Sequence, residues 1–345
     1  MSLVGISKEV VCSFQPSKAF QNHDRGSKIT SLDFDDQGGL LLSTGQDNVL
    51  NLYDARAGKF DKVLPSKKYG CHLARFTHTS TNCVHASTME NDTIRYLSLH
   101  DNQYIRYFKG HKKKVIGLEV APSSDKFLSS SLDNTIRLWD LNSANCHGLL
   151  TIPSPAYVTF DPAGVVFAAA CEQTAEILLY DLRKYEDVPF SVFRIDSLKS
   201  PARGIAATPW SKIEFSNDGK KILVSTYSPA HYILDAFSGQ VMMKLLGASG
   251  YSMPTGPDGS RLFESSGDTC FSPDGRFVFA GSKDKVIVWD LLAPVREGAL
   301  RPIAALDSPS PVNNILFNPR NMMLATSDEN LVFWLPDKDD KTKNS

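Results

Sequence analysis

Two ladders of marks run in step through this 345-residue chain. Short alternating apolar segments end at Phe34, Phe76, Val120, Phe160, Phe215, Phe271 and Phe317, and later segments reach Tyr53, Tyr96, Trp139, Tyr180, Leu234, Trp289 and Trp334. The steps between the second set are 43, 43, 41, 54, 55 and 45 residues, and a period of about 40 to 45 residues built from short strands is that of a propeller blade. A unit of this size cannot bury its apolar faces alone, so copies must stack against one another. The reading is an all-β propeller of seven blades, with insertions at the two long steps.

Turn chemistry punctuates the repeat. Ser272-Pro-Asp-Gly275, Asp161-Pro-Ala-Gly164 and Asn217-Asp-Gly219 supply the residues that tight hairpins require, and they mark loops, not active sites. The clearest copies are Phe271 to Gly275 leading to Val288-Trp289-Asp290, and Gly110-His111 leading through Asp133 to Leu138-Trp139-Asp140. These resemble the WD repeat, which makes the expected fold a WD-repeat β-propeller. Tyr53-Asp54, Tyr180-Asp181 and Leu234-Asp235 are weaker endings, while Tyr96-Leu97 and Trp334-Leu335 lack the Asp. In that family a Gly-His, a Ser, an Asp and the Trp form a hydrogen-bonded chain that locks the blade, and such a chain stabilises only when every member is satisfied. His111, Ser129, Asp133 and Trp139 match it together. The acidic position recurs at Asp47 and Asp328, with Asn91 near it in the second copy, but becomes Thr174 and Ser228 in the fourth and fifth.

Ring closure is expected from the N-terminus. Val10–Ser13 alternates like a strand, and a strand at about residues 10–14 would complete the last blade, whose own run stops at Pro336. Residues 1–336 then form one propeller and 337–345 a polar tail.

Composition narrows the function classes. Thirty-seven Lys plus Arg balance 38 Asp plus Glu, so no global field draws the chain to nucleic acid, and a principal role in direct nucleic-acid binding is disfavoured. The longest apolar run, Val165–Cys171, is far below the ~20 residues of a membrane span, and Met1–Glu9 carries no secretory or mitochondrial pattern. The six cysteines are scattered without a CxxC pair, which reads as reduced thiols.

No nucleophile elbow, phosphate loop or HExxH helix is present in the sequence, so no enzyme activity and no cofactor are expected. Cys71, His72, His78, Cys83 and His85 are metal-capable, but strand alternation scatters them to opposite faces, and core or surface positions with no metal are expected. His111 is assigned to the blade network in preference to catalysis. Lys112, Lys113 and Lys114, with Lys67 and Lys68 and the nearby Lys109, form the densest basic set, in loops entering blades. They are candidate docking residues for an acidic or phosphorylated peptide, weighed against simple solvation.

Longer stretches resemble one subfamily: the WD-repeat subunit shared by the COMPASS histone methyltransferase complex and the cleavage, polyadenylation and termination machinery. They include Asp92-Thr-Ile-Arg-Tyr-Leu-Ser-Leu-His-Asp101, Tyr104-Ile-Arg-Tyr-Phe108, Lys67-Lys-Tyr-Gly70, Ser131-Leu-Asp-Asn-Thr-Ile-Arg-Leu-Trp-Asp-Leu141 and Phe333-Trp-Leu-Pro336. The missing Asp after Tyr96 and Trp334 belongs to the resemblance, while Ser249 to Glu264 and Lys199 to Pro209 depart from it. The resemblance implies a nuclear, non-catalytic adaptor, monomeric within its hetero-complexes. Its implied partners are the N-terminal region of the catalytic methyltransferase subunit, a termination or phosphatase scaffold, and the phosphorylated C-terminal repeats of RNA polymerase II. The competing reading is a WD-repeat substrate receptor or scaffold of another complex, such as a ubiquitin ligase.

Overall fold

The computed structural model describes residues 5–186, 188–195, 198, 208–248, 255, 261 and 267–337. Its strands form seven sheets, six of four strands and one of five. Each sheet is one blade, and the blades follow chain order. Blade 1 comprises Ile29–Phe34, Leu40–Gly45, Val49–Asp54 and Lys59–Pro65, and blade 3 comprises Val115–Val120, Lys126–Ser131, Thr135–Asp140 and Ser143–Thr151. The inner strands end where the first ladder of marks predicts, and the second ladder falls on the third strands.

Burial follows position in the blade. Second strands such as Leu40–Gly45 are covered on both faces, whereas outer strands such as Gln103–Phe108 alternate between exposed and half-buried up to the buried Phe108. Both faces of the inner strands meet neighbouring blades, so these segments read as nearly continuous apolar runs. The core is accordingly distributed as apolar layers between adjacent blades. One layer sets Ile177 and Phe193 of blade 4 against Trp210 and Ile222 of blade 5; another sets Phe277 and Val288 of blade 6 against Leu324 and Trp334 of blade 7. The turns after the inner strands place Gly38, Gly164, Gly219 and Gly275 at φ of 61–69°, a region where glycine has no Cβ penalty.

The ring closes through the N-terminus, but one element later than expected. Lys8–Cys12, which includes most of the predicted strand, is a short helix capped by Ser7, and its Val11 is fully buried against blades 6 and 7. The closing strand is Phe14–Phe20, antiparallel to Leu331–Pro336. Ser7 ahead of Lys8-Glu9 is an N-cap with an acid in the first turn, which outweighs the short alternation of Val10 and Cys12. Pro16 hides the true strand. It is tolerated because this is an outer strand and the register slips between Pro16 and Lys18.

Blades 5 and 6 share a stitch. Ala299–Leu300, from the loop after Trp289-Asp290, runs parallel to Val241–Leu246 as a fifth strand of blade 5. Of the expected insertion Ser249–Glu264, only Thr255 and Arg261 are described, and they bridge to each other; the rest lies outside the described residues, as do 338–345 of the tail.

Candidate functional site

Strand direction sorts every loop onto one of two faces. Loops that enter inner strands share an upper face with the turns between second and third strands; turns leaving inner strands share the lower face with those leaving third strands. Lys67 and Lys68 precede blade 2, and Lys109 and Lys112–Lys114 precede blade 3. The structure therefore brings both lysine sets to neighbouring blades on the upper face. Lys67, Lys68, Lys109, Lys112 and Lys113 are exposed and Lys114 is half-buried.

Blade 3 holds its lysine loop from beneath. Trp139 Nε1 donates to Ser129 Oγ at 2.8 Å, Ser129 Oγ lies 2.7 Å from His111 Nε2, and His111 Nδ1 lies 3.1 Å from Asp133 Oδ2. A neutral imidazole with its proton on Nδ1 satisfies the whole relay, indole to hydroxyl to imidazole to carboxylate. The electrostatics agree. Burial lowers the His111 pKa in spite of Asp133. Burial alone would raise the Asp133 carboxyl, but hydrogen bonds from Thr135, the Lys112 amide and His111 prevail and hold it down to about 2. The Lys112 amide donates to Asp133 at 2.9 Å and Ser131 Oγ donates to the Lys113 carbonyl at 2.7 Å. The basic loop is thus anchored by its backbone while Lys112 and Lys113 face solvent.

Beside it, Arg95 of blade 2 is 2% exposed and stacks on Tyr69 with its guanidinium carbon 3.6 Å from the ring centroid, within 5.7 Å of Tyr104 and 5.3 Å of Tyr107. Lys68 lies 5.1 Å over the same Tyr69 ring. Aromatic faces are the surroundings that tolerate an arginine without a carboxylate.

A second network went unread in the sequence. His23 Nε2 lies 2.8 Å from Ser43 Oγ, and His23 Nδ1 lies 3.0 Å from Asp47 Oδ2. The missed signal is Asn22-His23 in place of Gly-His, 24 residues before Asp47 where His111 stands 22 before Asp133. Gly45 makes room for it, since a Cβ there would come within 2.4 Å of His23 Nδ1. In blade 7 Trp334 Nε1 donates to Thr326 Oγ1 at 2.8 Å.

The metal-capable group of blade 2 disperses. Cys71, His72, Cys83 and His85 are buried, burial raises both thiol pKa values, and burial pushes His85 down to about 4. His78 is on the lower face, 2.8 Å from Asp36 Oδ2. Among the described residues no group of three or more His, Cys, Asp or Glu is placed to hold a metal ion.

The family model described as "WD domain, G-beta repeat" matches residues 14–54, 102–140 and 266–290. The first two matches begin one strand ahead of a blade, so sequence repeat and blade are offset by a strand. Set1 complex component swd2 of Schizosaccharomyces pombe is 36% identical over 97% of this chain and 100% of its own length. WD repeat-containing protein 82 of Drosophila melanogaster is 40% identical over 95% of this chain and 96% of its own. COMPASS component SWD2 of Saccharomyces cerevisiae is 37% identical over 98% and 100%. With this similarity running along essentially the full length of each pair, the chain belongs to the Swd2/WD-repeat-82 family of WD-repeat propellers.

Proposed function

We propose that this chain is a non-catalytic scaffold subunit of a nuclear, COMPASS-like histone lysine methyltransferase complex. It also serves mRNA 3′-end processing and termination complexes and links both to RNA polymerase II. The observation that carries the reading is full-length similarity to proteins described as Set1-complex and COMPASS components. The geometry supports a holding role: His111, Asp133, His23 and Asp47 are engaged in internal networks, leaving a ring whose turns vary from blade to blade. A single propeller over residues 1–336 with a short polar tail suits this role, one copy per complex.

In this reading the network of His111, Ser129, Asp133 and Trp139 locks blade 3. Lys112, Lys113 and Lys114, with Lys67 and Lys68, form a docking edge for acidic or phosphorylated segments, such as polymerase C-terminal repeats. The N-terminal region of the methyltransferase subunit and the termination or phosphatase scaffold are the protein partners. Affinity purification of the tagged chain from nuclear extract is expected to recover the methyltransferase complex and termination factors. Recovery of ubiquitin-ligase subunits in their place, or of neither set, would overturn the assignment.

A further inference from the structure

The passage along the ring axis varies in width. At its lower mouth, Phe160, Phe215, Phe271 and Phe317, with prolines of the adjoining turns, enclose a cavity of about 300 Å³ that has Glu214 in its wall. Past Glu214 lies a cavity of about 220 Å³ where Asp33, Arg75, Glu119 and Lys212 converge with it. Next to the belt, and sharing Arg75, Glu119 and Lys212 with it, a cavity of about 30 Å³ lies among Leu73, Ile116, Tyr157 and Ile213. Among the described residues the passage is wider at the lower mouth than among Leu73, Ile116, Tyr157 and Ile213.

The belt is not electrically balanced. Arg75 pairs with Glu119 at 3.3 Å, and Lys212 pairs with Glu214 at 2.6 Å while donating to the Thr269 carbonyl at 2.9 Å. Glu214 also accepts from the Phe271 amide at 3.2 Å. These pairs engage both cations. Asp33 Oδ2 accepts from the Phe76 amide at 2.7 Å, and Asp33 otherwise shares the field of Arg75. Three carboxylates therefore face two cations, and ionised Asp33 is the surplus charge. Burial, reinforced by Glu119 and Asp36 and opposed by Arg75 and the Phe76 amide, pushes the Asp33 carboxyl up to about 7. A buried carboxylate lacking a full counter-charge is costly until a cation arrives.

An aromatic and proline mouth and a surplus carboxylate inside it suit a cation at the tip of an apolar stem. We propose that the lower channel binds an ammonium or guanidinium group on an aliphatic stem, carried by a lysine or arginine side chain of a peptide or by a free polyamine. The stem lies between the mouth phenylalanines and the head group meets Asp33. Glu214 precedes Phe215 as Asp33 precedes Phe34, so the belt is one strand residue, ~3.4 Å, inside the mouth. A stem of a few carbons spans it. The site does not depend on the scaffold reading, because the purified chain alone should bind.

The full-length protein is titrated, by calorimetry and saturation-transfer NMR, with N-acetyl-lysine methylamide, N-acetyl-arginine methylamide, spermidine and the neutral N-acetyl-norleucine methylamide. At least one cation is expected to saturate a single site at pH 8 and to bind about tenfold more weakly at pH 6, as Asp33 takes up its proton, while norleucine does not bind. Binding of a capped amino acid assigns the site to a peptide side chain; binding of spermidine alone assigns it to polyamines. Asp33→Asn keeps an acceptor for the Phe76 amide, so it should melt no lower than the parent at pH 8 yet bind at least tenfold more weakly. Equal binding of norleucine, undiminished binding by a folded Asp33→Asn, or no saturable binding by any cation overturns the proposal.

Discussion

Trp139 and Trp289 occupy matching places on the third strands of blades 3 and 6, both fully buried, yet their indole N–H groups go to different partners. Trp139 donates to Ser129 inside its own blade. Trp289 donates to the Leu246 carbonyl, on the outer strand of blade 5, at 3.0 Å, and the blade 5 His231 ring stands edge-on to it at 6.0 Å. The second strand decides the matter. Phe127 faces Trp139 and Val278 faces Trp289; two residues further on stand Ser129 and Ala280. Without the hydroxyl, the indole turns to the neighbouring blade, and Asp290 is held by Arg276 through contacts of 2.9 and 2.6 Å. Two copies of one motif thus do different jobs: blade 3 is stapled within itself, and blade 6 is stapled to blade 5, where Ala299–Leu300 adds a second tie.

The largest test of this contrast is removal of each indole. Trp139→Ala and Trp289→Ala should each cost about 3–5 kcal/mol in chemical denaturation. Hydrogen exchange should separate the two, with faster exchange in residues 115–151 for the first and in 241–246 for the second. The same pattern from both variants would erase the distinction.

Ser129→Ala strands the Trp139 N–H and His111 Nε2 together, so about 2 kcal/mol is expected. Ala280→Ser places a hydroxyl in blade 6 with no histidine of that blade to receive it, and should destabilise or be neutral. A gain in melting temperature there would show that blade 6 can adopt the self-contained staple.

Acid should loosen blade 3 through His111. Its folded pKa is below the ordinary 6.5 because burial disfavours the cation, so the unfolded state binds the proton first and stability falls as pH drops through 6.5. Asp133, held down to about 2, adds a further loss below about 4. His111→Asn should therefore show a shallower fall in melting temperature between pH 7 and 5; an unchanged slope would contradict a buried neutral imidazole. Asp33 has the opposite sign, its raised carboxyl favouring the folded state as pH falls.

The smallest expected effect on stability is at the lysines. Reversal of Lys112, Lys113 and Lys114 to Glu should change stability by no more than about 0.5 kcal/mol while weakening capture of phosphorylated polymerase repeats. Reversal of Lys220, Lys283 and Lys285, on blades 5 and 6, makes the same change in net charge and serves as the control. Equal loss from both sets would make the effect one of net charge, not of a docking edge.

Much of this is legible in the sequence alone. Blade number and strand order follow from Phe34 through Phe317 and Tyr53 through Trp334, because strand alternation and turn residues are local properties. The partners of Trp289 were not legible, since they depend on which blade packs against its face. The sequence points to closure by the N-terminal segment but favours Val10–Ser13 over Phe14–Phe20, because Pro16 and the mostly exposed residues of Phe14–Phe20 imitate a loop until the edge they cover is known. Asp33, Arg75, Glu119 and Glu214 each stand one residue before a first-ladder mark, Phe34, Phe76, Val120 and Phe215, so the repeat sets them at one level, but that they converge on one cavity with Lys212 follows only from the closed ring. The lysine sets were visible as residues, but their shared face follows from strand direction.

Whether this chain is a scaffold subunit of a Set1-type complex can be decided by a two-component titration. The purified chain is mixed with the isolated N-terminal region of the catalytic methyltransferase subunit and followed by calorimetry and size-exclusion chromatography with light scattering. A saturable 1:1 complex that co-elutes, unaffected by Asp33→Asn, is the predicted result. No heat of binding and separate elution of two folded proteins would contradict it.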